Sequence, residues 1–172
     1  MLKSLIFFAR FFIFWLLYFL LDRLIFICLN LAQLQHSSAI EILSACYHGL
    51  RLDLSMTAYM TVAPLLVFLF FLFAYKKKTM TFSWISVYNK VLIVLFSILA
   101  VANFNIYHEW GSKINAKALG FALSSPNEAL ASSASSPVFL SLSVLVILIL
   151  AALLLHQLII RKIGRASCRE RV

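Results

Sequence analysis

Within SSAIEILSACYHGLRLDLS, three residues of the right types for chemistry sit close together: His48, Arg51 and Asp53. A guanidinium presents a planar fork that grips phosphate through parallel charge-assisted hydrogen bonds, and an imidazole can donate another. The ligand such a set would take is a phosphorylated lipid headgroup. The residue types leave a second reading open, in which Arg51 and Asp53 satisfy each other and anchor a helix end. Arg23 poses a similar choice. It lies inside an apolar run, about 9 Å from its end at 1.5 Å per residue, where a cation is either functional or snorkels to the interface. Its neighbour Asp22 is expected to face the interior of a helix bundle. The other histidines are scattered at positions 36, 108 and 156. His108 and Glu109 are adjacent, so on a helix they point about 100° apart and do not share one metal ion. His156 is expected to hydrogen-bond within the bundle or to reach the headgroups. Cys28, Cys46 and Cys168 show neither metal nor disulfide spacing. No complete catalytic constellation is present, and no cofactor site is expected in this chain.

The elements that position these residues follow from composition. Hydrophobic residues make up 63% of the 172 and charged residues 12%, about half the charge fraction of a soluble domain. Such a chain cannot cover a core with polar surface, which leaves an all-α polytopic membrane protein. The formal charge of +9 does not indicate nucleic acid. The basic residues cap apolar runs, and there is neither a glycine-rich phosphate loop nor a basic-aromatic strand. Four runs are long enough to span a bilayer, near residues 11–29, 56–75, 84–107 and 138–160. The first has no small-residue cleavage site and is read as a retained helix rather than a signal peptide. Lys3 and Arg10, then Lys76, Lys77 and Lys78, then Arg161 and Lys162 fall on one side if the chain crosses four times, with Lys90 able to snorkel to it. The positive-inside rule makes that side cytoplasmic, along with the N-terminus.

Short interfacial helices complete the expected architecture. Ser37 or Ser38 with Glu41 forms a capping-box pattern that opens a short helix carrying Ile40, Leu43 and Tyr47, lying at the interface. A second outer segment covers residues 103–137; its Ser/Ala-rich end reads as loop, although EALASSA could hold a short helix started by Ser125, Pro126 and Asn127. Pro64 falls inside the second span, where it should kink the helix and leave a carbonyl for a neighbouring helix to satisfy.

Three strings, HGLRLDLS (48–55), YHEWGSKIN (107–115) and SSPNEALAS (124–132), occur in an order that resembles the N-terminal membrane region of the lipoteichoic acid synthase-like family. That family lies in the sulfatase and alkaline phosphatase superfamily. The resemblance covers about residues 1–162. It carries over to His48, Gly49, Arg51 and Asp53; to Glu109, Trp110, Gly111 and Asn115, with Lys113 where an arginine is common; and to Pro126, Glu128 and Ala129. It implies a bacterial cytoplasmic membrane, five transmembrane helices and a large extracytoplasmic catalytic domain. It also implies transfer of phosphoglycerol or related headgroups from membrane phospholipid to envelope lipids or glycans. The nucleophilic threonine and the divalent metal of manganese or magnesium type belong to that domain and match nothing in this chain, nor does a fifth helix. Placement suggests that Arg51, with His48 and Glu109 near it, forms part of a shallow polar site at the outer membrane face that meets an anionic phospholipid headgroup, with Asp53 and Trp110 as further headgroup or interface candidates.

The last ten residues, IGRASCRERV, differ from everything before them. They resemble one reading frame of a common sequencing-library adapter, so 163–172 is expected to be an artefactual tail, and the chain the four-helix front of a longer enzyme. The alternative is a small stand-alone multipass protein, a transporter subunit or scaffold. A transporter favours broken helices and mid-membrane polar residues, whereas Pro64 is the one clear breaker here.

Overall fold

A computed structural model describes residues 2–31, 38–75, 83–112, 114–128 and 138–160. These form five helices: α1 (Leu2–Leu29), α2 (Ala39–Tyr75), α3 (Ser83–Trp110), α4 (Ala116–Ser124) and α5 (Val138–Ile159). Residues 126–128 are also helical, and no strand occurs among the described residues. Helices α1, α2, α3 and α5 are long and apolar enough to cross a membrane. The chain is therefore an all-helical membrane protein with four candidate spans. It divides into two compact units, Met1–Asn89 with Ala152–Val172, and Lys90–Ala151.

Two boundaries differ from the sequence expectation. Helix α1 begins at Leu2, well before Phe11, because nothing in LKSLIFFAR breaks a helix; its 28 residues extend about 42 Å. The capping box is formed, with Ser38 as the cap: the Ser38 amide donates to Glu41 Oε2 at 2.9 Å, and the Glu41 amide donates to Ser38 Oγ at 3.3 Å. The helix it opens is not a separate short one. It runs without interruption into the second span as the 37-residue α2, since between Tyr47 and Met56 only Gly49 disfavours helix, and a single glycine costs about 1 kcal/mol. The Lys76–Lys78 link, the basic pair Arg161 and Lys162, and the tail at 163–172 lie outside the described residues.

In the first unit, α1 buries an aromatic stripe. Phe7, Phe11, Phe14, Trp15 and Tyr18 follow helical spacing, and all are at most 4% exposed. Their rings meet edge-on or tilted: Phe14–Trp15 centroids lie 5.4 Å apart and Trp15–Tyr18 5.5 Å apart. Such pairs contribute about 0.5–1.5 kcal/mol each beyond burial. Helix α2 packs antiparallel on α1. Phe8 of α1 meets Phe68 of α2 with centroids 5.6 Å apart, and Arg23 of α1 meets Asp53 of α2. The two contacts are separated by the same number of residues on each helix, about 22 Å of axial rise, so the pair stays in register along that length.

Pro64 sits inside α2 and is fully buried. Lacking an N–H, it leaves the carbonyl one turn earlier, that of Met60, without its helical donor. The Tyr88 hydroxyl of α3 donates to that Met60 carbonyl at 3.4 Å. A neighbouring helix thus satisfies the freed group, as the sequence led us to expect.

In the second unit, Gly111 ends α3. Its φ is 64°, the left-handed conformation glycine adopts most cheaply, and its amide returns to the Tyr107 carbonyl at 2.9 Å. Asn115 then caps α4, its carbonyl accepting from the Leu119 amide at 3.0 Å. This nine-residue helix was not singled out in the sequence. The Ser141 hydroxyl of α5 donates to Asn105 Oδ1 of α3 at 2.9 Å.

Candidate functional site

The HGLRLDLS string lies wholly within α2, and the helix separates its residues by face. At 100° per residue, Gly49 and Asp53 are one turn apart on the same side, followed by the buried Thr57 and Pro64. Arg51 points about 160° away from Asp53, so the pairing of these two residues allowed by the sequence is not formed. Asp53 is held instead by Arg23. Arg23 Nε donates to Asp53 Oδ2 at 3.1 Å, and Nη2 donates to Oδ1 and Oδ2 at 2.8 Å each. The side chains are 20% and 13% exposed. Arg23 therefore does not simply snorkel: it crosses to the second helix and is neutralised there.

Gly49 makes this approach possible. A Cβ at Gly49 would collide with the Arg23 guanidinium, so the absent side chain is what lets the fork lie across α2 and reach Asp53. Two residues of the string are thereby accounted for by helix pairing. The other two remain on the outside: His48 and Arg51 are exposed, one turn apart on another face, with the His48 ring edge-on to Tyr47 at 5.8 Å. Among the described residues Arg51 has no carboxylate partner.

His48, Arg51 and Asp53 belong to the first unit, Glu109 and Trp110 to the second. Glu109 and Trp110 form the last turn of α3, just before the Gly111 stop. The second string is thus a helix end and a helix start, with Gly111 and Asn115 in those two roles. His108 is exposed, and its ring lies 6.4 Å from that of Phe104. His156 is buried at 8% exposure with its ring edge-on to Phe14 at 6.0 Å, inside the first unit. In the third string, residues 126–128 are helical, and the stretch from Ala129 lies outside the described residues.

Buried polar residues other than His156 were not singled out in the sequence, Thr57 and Asn89 among them. Thr57 and Asn89 are both fully buried, and among the described residues Thr57 Oγ1 and the Asn89 amide lack hydrogen-bond partners. The signal for Thr57 was its position one turn after Asp53 on the α2 stripe. No three His, Cys, Asp or Glu side chains among the described residues come together as a metal site.

Among the described residues this geometry is an ion-paired helix hairpin with Arg51 and the nearby imidazole of His48 on an exposed face. Comparison with known proteins adds nothing to it: no family model, no curated protein and no solved structure matches this chain.

Proposed function

We propose that this chain is the membrane-embedded front of a headgroup transferase resembling the lipoteichoic acid synthase-like family. It would be anchored in a bacterial cytoplasmic membrane with its N-terminus in the cytoplasm. In this reading α1, α2, α3 and α5 hold a catalytic domain, encoded beyond residue 162, against the outer face of the bilayer. The nucleophile and metal belong to that domain. The chain's own contribution is to fix the α1–α2 hairpin and to offer Arg51 to a lipid phosphate. The observation that carries the reading is the division of labour within HGLRLDLS. Gly49 and Asp53 are consumed by Arg23, while Arg51 stays exposed with its fork uncommitted.

The test begins with the genomic reading frame past codon 162. The proposal requires one further span and a sulfatase-like domain. A stop codon close to 162 would reject it in favour of a small multipass protein. With the full-length enzyme in hand, transfer from a fluorescent phosphatidylglycerol donor is measured for Arg51→Lys and Arg51→Ala. Lysine keeps the charge and loses the fork, so Arg51→Lys should lower the rate at unchanged expression. An unchanged rate in folded Arg51→Ala enzyme would remove Arg51 from the lipid site.

A further inference from the structure

Two polar side chains are shut inside the first unit at one depth. Thr57 of α2 and Asn89 of α3 are each 0% exposed, and both belong to that unit. Among the described residues, neither the Thr57 hydroxyl nor either end of the Asn89 carboxamide has a hydrogen-bond partner. The Tyr88 hydroxyl reaches the Met60 carbonyl at 3.4 Å, which sets where α3 lies on α2. The two helices are consecutive candidate spans joined by residues 76–82 alone, so they run antiparallel. Asn89 is the residue after Tyr88, and Thr57 lies about one turn before Met60. The two therefore stand within about one helical turn of each other in depth. Packing that excludes water and supplies no partner is costly, and in a bilayer the surrounding lipid cannot supply one either.

The backbone beside them is weakened twice over. Pro64 removes one helical hydrogen bond from α2. The Thr61 hydroxyl donates to the Thr57 carbonyl at 2.8 Å, a back-bond of the kind that bends helices. The contact from Tyr88 that replaces the lost bond is longer than a well-formed hydroxyl bond. Asn89 also lies close to the start of α3 at Ser83, about 9 Å of rise away, so water has a short way to travel.

We propose that the α2–α3 seam opens at Thr57 and Asn89 to admit water, with Pro64 as the hinge and the Tyr88–Met60 contact as the latch. Asn89 offers two N–H donors and a carbonyl acceptor, and the Thr57 hydroxyl plays both roles on one oxygen. A cation would serve the acceptors alone, and an anion the donors alone. Water serves both, and internal waters make about three hydrogen bonds to groups of this kind. Neither a lipid headgroup nor a catalytic domain takes part, so the seam does not depend on the transferase reading.

Water-edited NMR of the full chain in bicelles, isotope-labelled at asparagine, reads the opening directly. The Asn89 side-chain amide is assigned by its loss in Asn89→Leu, and exposed Asn127 is the positive control. Asn89 should receive magnetisation from water, more slowly than Asn127. Tyr88→Phe releases the latch and should raise the Asn89 transfer rate about three- to twentyfold, the scale of one hydrogen bond between membrane helices. Pro64→Ala returns a helical donor to the Met60 carbonyl and should lower the rate several-fold. Tyr88→Phe keeps the ring and its packing, so the latch is still read if the proline variant fails to insert. An Asn89 amide that receives nothing while Asn127 does overturns the proposal. A rate indifferent to the loss of the Tyr88 hydroxyl means that water arrives by another route, and removes the seam. An Asn89 resonance protected from water but shifted by Thr57→Val would show the two side chains bonded directly to each other, which also defeats it.

Discussion

Asp53→Ala removes one partner of the Arg23–Asp53 pair and leaves a guanidinium largely buried against α2. Three contacts of 2.8–3.1 Å are lost between side chains 20% and 13% exposed, so solvent screens the loss only weakly. In soluble proteins, deleting one member of a buried pair costs about 3–5 kcal/mol. Hydrogen bonds between membrane helices average about 0.6 kcal/mol and reach about 1.7, because the unfolded chain in lipid also finds partners. An ionic pair with three contacts belongs above that range and below the soluble one. We expect a loss of about 2–3 kcal/mol, or roughly 30- to 150-fold in the unfolding equilibrium. Arg23→Leu should cost a similar amount. The double variant Arg23→Leu with Asp53→Leu removes both charges and should recover to within about 1 kcal/mol of wild type. Arg51→Ala, outside the pair, should change stability by less than about 0.5 kcal/mol. The assay is reversible unfolding in bicelles, followed by helix content and by binding-coupled trapping of the unfolded chain. If the losses from the two single variants simply add in the double variant, the residues are not coupled. If Arg51→Ala is the costly change, Asp53 pairs with the wrong arginine in our structure.

Further outcomes follow from the same helix pair and its neighbour. Tyr88→Phe should destabilise by about 0.6–1.7 kcal/mol in the same unfolding assay. That loss should largely vanish in a Pro64→Ala background, where residue 64 supplies an N–H to the Met60 carbonyl. Gly49→Ala should destabilise even though alanine is the better helix former, because its Cβ meets the Arg23 guanidinium. Adding Arg23→Ala should reverse the sign and leave the alanine stabilising by about 0.5–1 kcal/mol. A reporter active only in the cytoplasm should be active when fused after Lys78 and silent when fused after Asn115; the opposite pattern would reverse the orientation read from the basic residues.

The four spans were legible because an apolar run of about 20 residues matches the thickness of the hydrocarbon core and is longer than a soluble helix can bury on every side. The destination of the Met60 carbonyl was legible in kind, since Pro64 must orphan it, although Tyr88 could not be named in advance. Ser38 and Glu41 announced a helix start but not its length. The continuity of α2 depended on the weakness of Gly49 as a lone breaker. The pairing of Asp53 was misjudged by proximity in sequence. Arg51 is two residues away, yet residues two apart on a helix do not face each other; extending the helix through 48–55 would have excluded that pair. Naming Arg23 needed the antiparallel register, which is a property of two helices and not of either segment. Helix α4 was missed although Asn115 precedes AKALGFALS, a capping residue ahead of good helix formers. The serines and glycine around it obscured the signal.

The Arg23–Asp53 contact also imposes an order on biogenesis. Thirty residues separate the two partners in the chain, and synthesis at about 5–20 residues per second delivers the second roughly 2–6 s after the first. During that interval α1 emerges with its guanidinium uncompensated, and its position in the bilayer is provisional. The arrival of Asp53 cancels the charge, and the meeting of Phe8 with Phe68 follows as the rest of α2 is made. The hairpin therefore closes like a zip started at the Arg23 end, and α1 reaches its final depth only when its successor has been translated.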